Sequence, residues 1–324
     1  MKKILALLLS LSMCLAMLVG CGSNSAAETK TDTADASAPA AAAADGSAAA
    51  ADWRSELTTI TEGKLTVATS PDFAPYEFYA LDENNNPTLA GFDMALAQYI
   101  ADYLGLELEV VTVDFDGVLT ELQTKSVDLG MAGLSPDPKR EAIMDFSDIY
   151  YEGGQSLVTV KANADSITSF DDVNKPECTI GAQTGSIQLD LANKNTPNAN
   201  IVSMPKVTDI ISELLAGKEY AAFIETDVAK SYQKNYPDLE IVLDVPYEAT
   251  GSAIGVNKGN EALRAGVNEA IAAAKEDGSL ARFIDEANEQ ASGTKYEGLL
   301  DENGQAPADT ADASAEAEAS ASAA

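Results

Sequence analysis

The chain has 324 residues and carries 20 Lys and Arg against 52 Asp and Glu, a formal net charge of −32. An acidic surface of that size argues against nucleic acid as a partner. The absence of any histidine excludes Ser-His-Asp triads, Cys-His pairs and His-based zinc sites together.

The N-terminus opens with Lys2 and Lys3 and an apolar run from Ile4 to Val19, too short for a comfortable membrane span and read as a signal peptide over residues 1–20. The run ends in Leu18-Val19-Gly20-Cys21, which resembles the bacterial lipobox. That resemblance implies lipidation of Cys21 and placement on the extracytoplasmic face of the cell membrane, held by its lipid. Residues 21–52 are Ala, Ser, Thr and Asp with Pro39, too poor in large apolar groups to repay ordering. They read as a disordered tether with a reach of roughly 30 Å. Cys14 leaves with the signal and Cys21 takes lipid, so Cys178 has no partner for an internal disulfide.

From Leu57 the pattern alternates strand and helix. Lys64–Thr69 reads as a strand, followed by the loop signal Ser70-Pro71-Asp72. Phe92–Leu104 carries Met94, Leu96, Ala97, Ile100 and Leu104 at helical spacing and stops at Gly105, a suitable C-cap. Strands are expected at 106–113 and 127–132, and helices at 118–124 and 139–143, giving a βαβαβ unit with a parallel sheet. A second unit is expected to have strands at 156–160, 179–182, 200–204, 221–224 and 239–245. Its helices are expected at 187–194, 207–216 and 227–235. A return strand at 251–256 and closing helices at 262–274 and 280–287 complete the body. The acidic tail at 297–324 reads as disordered. Asp82-Glu83-Asn84-Asn85-Asn86-Pro87 begins like a calcium loop with Asp93 as its last ligand, but Pro87 stands where the loop needs Gly, so a hairpin turn is expected and no metal. Trp53, at the tether boundary, reads as packing.

Open α/β sheets bind ligands beyond the carboxyl ends of their strands, so the strand-end loops hold the candidates. Phe73 and Phe115 offer flat apolar faces. Arg140 offers a planar fork for a carboxylate. The helix start at Ser186 and Ile187 adds backbone N–H groups for the same charge, and Glu225 can accept from an ammonium. A free amino acid needs these parts. Each has a bland alternative, a surface ion pair for the Arg or ordinary core for the aromatics.

Taken together the motifs are more specific. Phe73-Ala74-Pro75-Tyr76-Glu77-Phe78, Leu89-Ala90-Gly91-Phe92-Asp93, Phe115-Asp116-Gly117, Ala132-Gly133-Leu134-Ser135 with Arg140, and Asp145-Phe146-Ser147-Asp148-Ile149-Tyr150-Tyr151 stand in the order found in the polar amino acid-binding proteins of ABC importers. The body from about Gly63 to Phe283 resembles that family. The resemblance implies an α/β, two-lobed, periplasmic-binding-protein-like fold (a Venus flytrap) with a ligand cleft between the lobes. Lobe 1 would comprise 57–154 and 250–292, and lobe 2 would comprise 155–249. It implies that Arg140 grips the ligand carboxylate with help from Ser135 and the backbone at Gly133. Glu225 would take the ammonium, and Phe73 and Phe115 would pack on the ligand. Gln183 would bond the side chain from the second lobe. Relatives that bind cationic side chains often carry Asp where this chain has Ser70; Asp72 offers partial compensation, and a neutral or polar amino acid is expected. The implied partners are the free amino acid, a permease and its ATPase, and the membrane through lipid; no cofactor and a monomer are expected. A second class on the same fold is an enzyme resembling cyclohexadienyl dehydratase, in which Glu77, Asp72 or Glu225 would have to be the general acid.

Overall fold

The computed structural model describes residues 53–81, 86–249 and 251–292. The signal peptide, Cys21, the tether, most of the 82–87 turn and the acidic tail lie outside the described residues. The chain begins with α1 (Trp53–Glu56) and β1 (Lys64–Thr69), then a small antiparallel sheet of β2 (Asp72–Phe73), β3 (Glu77–Leu81) and β4 (Pro87–Ala90). Next come α2 (Phe92–Leu104), β5 (Glu107–Thr112), α3 (Phe115–Thr124), β6 (Leu129–Gly130), α4 (Pro138–Glu141) and β7 (Met144–Phe146). The second set is β8 (Gln155–Val160), α5 (Lys161–Ala164), β9 (Thr179–Gln183), α6 (Ile187–Asn195), β10 (Asn200–Met204), α7 (Val207–Leu215), β11 (Ala221–Glu225), α8 (Thr226–Asn235) and β12 (Leu239–Asp244). The last elements are β13 (Gly255–Asn257), α9 (Glu261–Glu276) and α10 (Ser279–Ala291).

Two five-stranded sheets result, ordered β5-β1-β6-β13-β7 and β10-β9-β11-β8-β12. The architecture is the two-lobed, mixed α/β fold. Each sheet has a parallel centre: β1 runs with β5 and β6, and β9 runs with β10 and β11. The expected βαβαβ unit with its parallel sheet is present in β1, β5 and β6, and the returning β13 joins it antiparallel to both β6 and β7. The chain passes from the first sheet to the second over residues 147–154 and back over 245–254. These passes lie side by side, joined by Tyr150 N–H to Ser252 O (3.0 Å), Ser252 N–H to Tyr151 O (2.7 Å) and Ser147 N–H to Ile254 O (2.9 Å).

Local chemistry explains the best-defined elements. Helix α2 buries Phe92, Met94, Leu96, Ala97, Ile100 and Ala101 on one face, each large side chain contributing roughly 1.5–3 kcal/mol. It stops at Gly105, whose φ of 73° returns the chain through left-handed space, as its position in the sequence predicts. It starts after Gly91, where a Cβ would sit 2.1 Å from the Tyr76 carbonyl oxygen. Only glycine permits that approach. Several expected boundaries shift. The strand expected at 127–132 shortens to β6, because the chain turns away at Gly133 with φ 56°. The expected return strand is reduced to β13 and a bridge of Ser252 with Tyr151, and residues 73–78 run from β2 through a turn into β3, whose pairing with β4 flanks the expected hairpin turn.

Glu219, just before β11, is 3 % exposed and its carboxylate oxygens have no hydrogen-bond partner among the described residues. Burial pushes its carboxyl up to about 7. A folded-state value above the unfolded one means that stability is lost as pH rises from the ordinary carboxylate range through 7. Glu219→Gln lacks that loss, and its melting temperature at pH 8 is expected to exceed the wild type's by about 2–4 °C, with the gain gone at pH 5.

Candidate functional site

The first lobe places a buried guanidinium beyond the ends of β1 and β6. Arg140 lies in the four-residue helix α4, started by Pro138 after the N-cap Asp137, whose carboxylate accepts from Lys139 N–H. Arg140 is only 7 % exposed. Its Nη1 donates to the Ser135 carbonyl at 3.0 Å, and its guanidinium lies 5.4 Å from the centre of the Phe115 ring. Among the described residues it forms no ion pair with a carboxylate. Burial lowers it to about 10, Asp137 and Asp190 opposing the shift from a distance. A guanidinium in this state attracts an incoming carboxylate strongly.

Phe73 packs beside Gly133, where a Cβ would meet the Phe73 ring at 2.8 Å, and its ring centre lies 5.3 Å from that of Tyr76. The Gly133 N–H donates to Asp93 Oδ2 at 3.2 Å. Ser135 is buried, and its carbonyl is what holds Arg140. Ser70 donates from its hydroxyl to Asp72 Oδ1 at 2.8 Å, so the Asp72 carboxylate stands at the Ser70 side chain. Burial pushes the Asp72 carboxyl up to about 6, with the Val207 N–H and the Ser70 hydroxyl working against the rise.

The second lobe supplies the opposing charge. Glu225 ends β11 and caps α8, accepting from Asp227 N–H (2.7 Å), Val228 N–H (2.8 Å) and Gly154 N–H (3.2 Å). Burial still lifts it to about 7. No Lys or Arg pairs with it among the described residues. A Cβ on Gly153 would meet Glu225 Oε1 at 2.7 Å and the Tyr76 hydroxyl at 3.0 Å, so Tyr76 carries the first lobe's aromatic group to the Glu225 carboxylate. Ser186 is the N-cap of α6; its hydroxyl accepts from Leu189 N–H and donates to the Gln183 carbonyl, and Ile187 is the first helical residue.

The two lobes meet in this structure. Arg140 Nη2 donates to the Gly185 carbonyl (3.3 Å), and Gln183 Nε2 and Val207 N–H both donate to Asp72 Oδ2. The Tyr232 hydroxyl donates to the Asp72 carbonyl (3.1 Å), and Lys139 pairs with Asp190 (2.7 Å). Of the expected site residues, Arg140 and Asp72 of the first lobe are thus brought against the Gln183–Gly185 turn of the second. Gly185 makes a close approach to the first lobe: φ is 75°, and a Cβ there would sit 3.1 Å from the Asp116 Cβ. Gly185→Ala is expected to hold the lobes apart and weaken ligand binding about tenfold, read by calorimetry, while each lobe stays folded.

Reasoning from sequence passes over Asp93, Tyr76 and the Val207 N–H. The only signal for the first is its place in Gly91-Phe92-Asp93; the last is a backbone group and leaves none. Asp93 is a buried acceptor for Tyr150 Oη (2.6 Å) and Gly133 N–H. Among the described residues no group of three or more Cys, Asp or Glu is placed to hold a metal ion. No described helix is long and apolar enough to cross a membrane.

Residues 65–288 match the family model of bacterial extracellular solute-binding proteins, family 3. The arginine-binding extracellular protein ArtP of Bacillus subtilis (strain 168) is 34% identical over 224 residues, which are 68% of this chain and 84% of that protein. The crystal structure of AbpA from Streptococcus pneumoniae Canada MDR_19A, an amino acid ABC transporter substrate-binding protein bound to L-arginine, superposes with a TM-score of 0.68 at 34% identity. That likeness covers 71% of this chain and 97% of AbpA. An ancestral amino acid-binding protein described as a precursor of cyclohexadienyl dehydratase superposes with a TM-score of 0.62 at 31% identity, covering 69% of this chain and 95% of its own.

Proposed function

The chain belongs to the bacterial extracellular solute-binding proteins, family 3, and from that premise we propose that it captures a free amino acid with a cationic side chain between its lobes and presents it to an ABC importer. The observation that carries the reading is Arg140, a buried guanidinium with carbonyl partners but no carboxylate partner among the described residues. A ligand carboxylate supplies the missing charge, and Glu225 takes the ammonium. Phe73 and Phe115 flank the ligand, while Ser135, Gly133, Ser186 and Ile187 complete the carboxylate end. Capture fits better than turnover, since the relative in the dehydratase lineage is itself described as an amino acid-binding protein.

The expectation of a neutral side chain gives way for a physical reason. It rested on Ser70 having no charge, but the Ser70 hydroxyl holds the Asp72 carboxylate, so position 72 delivers the charge that position 70 lacks. Gln183 reaches the same carboxylate at 3.2 Å. A guanidinium or ammonium arriving there would ionise Asp72 fully and relieve its burial. The relatives named for arginine point the same way. The protein acts as a monomer, held by lipid on Cys21 within tether reach of its permease and ATPase.

A thermal-shift screen of the free amino acids tests both levels. L-Arginine or L-lysine is expected to raise the melting temperature most, ligand at a hundred times Kd adding about 2.7 kcal/mol. A larger shift with a neutral amino acid would overturn the side-chain assignment. No shift with any of them would overturn amino acid capture.

A further inference from the structure

Beneath the ligand loop lies a pair of carboxyl groups that the proposed function does not use. Glu77 of β3 and Asp93 in the first turn of α2 are both fully buried, at 0 % exposure. Asp93 is well supplied with donors, the Tyr150 hydroxyl to Oδ1 at 2.6 Å and the Gly133 N–H to Oδ2 at 3.2 Å; its own N–H bonds the Tyr76 carbonyl at 2.9 Å, which brings the neighbouring Glu77 carboxyl against it. Glu77 receives no hydrogen bond from a protein donor and pairs with no Lys or Arg among the described residues. The charged groups facing it are Asp93 from α2 and Asp72 from β2, both acidic. Asp93 faces Glu77, Tyr150 and Gly133, and Tyr76 and Tyr150 also lie within electrostatic range of each other. Two carboxylates in contact in a buried site do not both stay ionised, and the proton settles on the member without donors.

We infer that Glu77 is a neutral acid donating to the Asp93 carboxylate, and that the pair positions the ligand loop 132–135 by holding its Gly133 peptide. The inference rests on the proposed function, because the placement of that loop matters only if it grips a ligand. Asp93 ties the loop at Gly133, and Arg140 ties its other end at the Ser135 carbonyl. Tyr150 carries the connection into the first pass between the sheets, where its own N–H bonds Ser252 of the second. Burial lifts Glu77 well above the usual carboxylate range, whereas the Tyr150 and Gly133 donors restrain Asp93 to about 6. The two groups thus differ in the direction that the assignment requires. Both are positioning residues, acting on the ligand through Gly133.

The test compares L-arginine binding at pH 8 by calorimetry in wild type, Glu77→Gln, Glu77→Leu and Asp93→Asn. Glutamine keeps a neutral donor, so Glu77→Gln should bind within about threefold of wild type, whereas Glu77→Leu and Asp93→Asn should bind about tenfold or more weakly with their circular dichroism unchanged. Rescue by Gln but not Leu is not expected of a residue that merely fills space. A direct readout accompanies it: the infrared C=O band of a neutral carboxylic acid, present in the wild type at pH 8 and lost in Glu77→Gln. Glu77→Gln as weak as Glu77→Leu, Asp93→Asn as tight as wild type, or no infrared difference would overturn the pair. Failure of wild type to bind any amino acid, or full binding by Arg140→Ala, would instead overturn the proposed function, and the infrared band would still decide the proton.

Discussion

Arg140→Ala is expected to abolish amino acid binding at ordinary ligand concentrations while leaving the ligand-free protein folded. Removing one partner of a buried, hydrogen-bonded charge pair costs roughly 3–5 kcal/mol, which is a loss of some hundredfold to several thousandfold in affinity. The ligand-free protein should respond differently. There the guanidinium is buried without a carboxylate partner among the described residues and pulled down to about 10 by desolvation, so it stabilises the empty fold little. The melting temperature without ligand should stay level or rise, and the ligand-induced shift should vanish. Calorimetry and thermal denaturation on the same sample separate these effects.

The second large effect is in pH. Glu225 stands near 7 in the ligand-free protein because burial outweighs its three backbone donors. A bound ammonium favours the carboxylate, so the bound state holds that group ionised at lower pH than the free state does. Below 7 the ligand must therefore displace a proton, and Kd should rise up to about tenfold for each pH unit lost. Above 7 the dependence on this group flattens. Asp72, near 6, adds to the acid loss for a cationic side chain and not for a neutral one. Glu225→Gln should bind weakly at pH 8 and lose the part of the slope between 6 and 7. Titrations in buffers of different ionisation enthalpy would count the protons released, with about one expected at pH 6 from Glu225.

The parts of the site that depend on chain-local chemistry are legible in the sequence. Arg140 follows Ser135 by five residues across a proline-started turn, and Glu225 ends a β-branched and aromatic strand, so both roles can be read from short stretches. Helix α2 is legible for the same reason: its apolar spacing and Gly105 are local signals. The partners of Asp72 are not. They come from Gln183 and Val207, 111 and 135 residues further on, and one is a backbone N–H that any residue but proline could provide. Ser70 reads as a charge deficit because nothing in the sequence shows its hydroxyl holding the Asp72 carboxylate. Asp93 was hidden differently, since an acid at a helix start is ordinarily solvated and favourable to the helix, and only the fold places Gly133 and Glu77 against it. The antiparallel return of β13 is equally non-local, because three short residues pair with strands more than 100 positions earlier.

Selectivity for the α-amino acid frame can be read by titrating the protein at pH 8 with L-arginine and with agmatine, the same molecule without its carboxylate. Saturable binding of L-arginine and loss of that binding with agmatine is the predicted result, since Arg140 then has nothing to hold. Agmatine binding as tightly as L-arginine would contradict it.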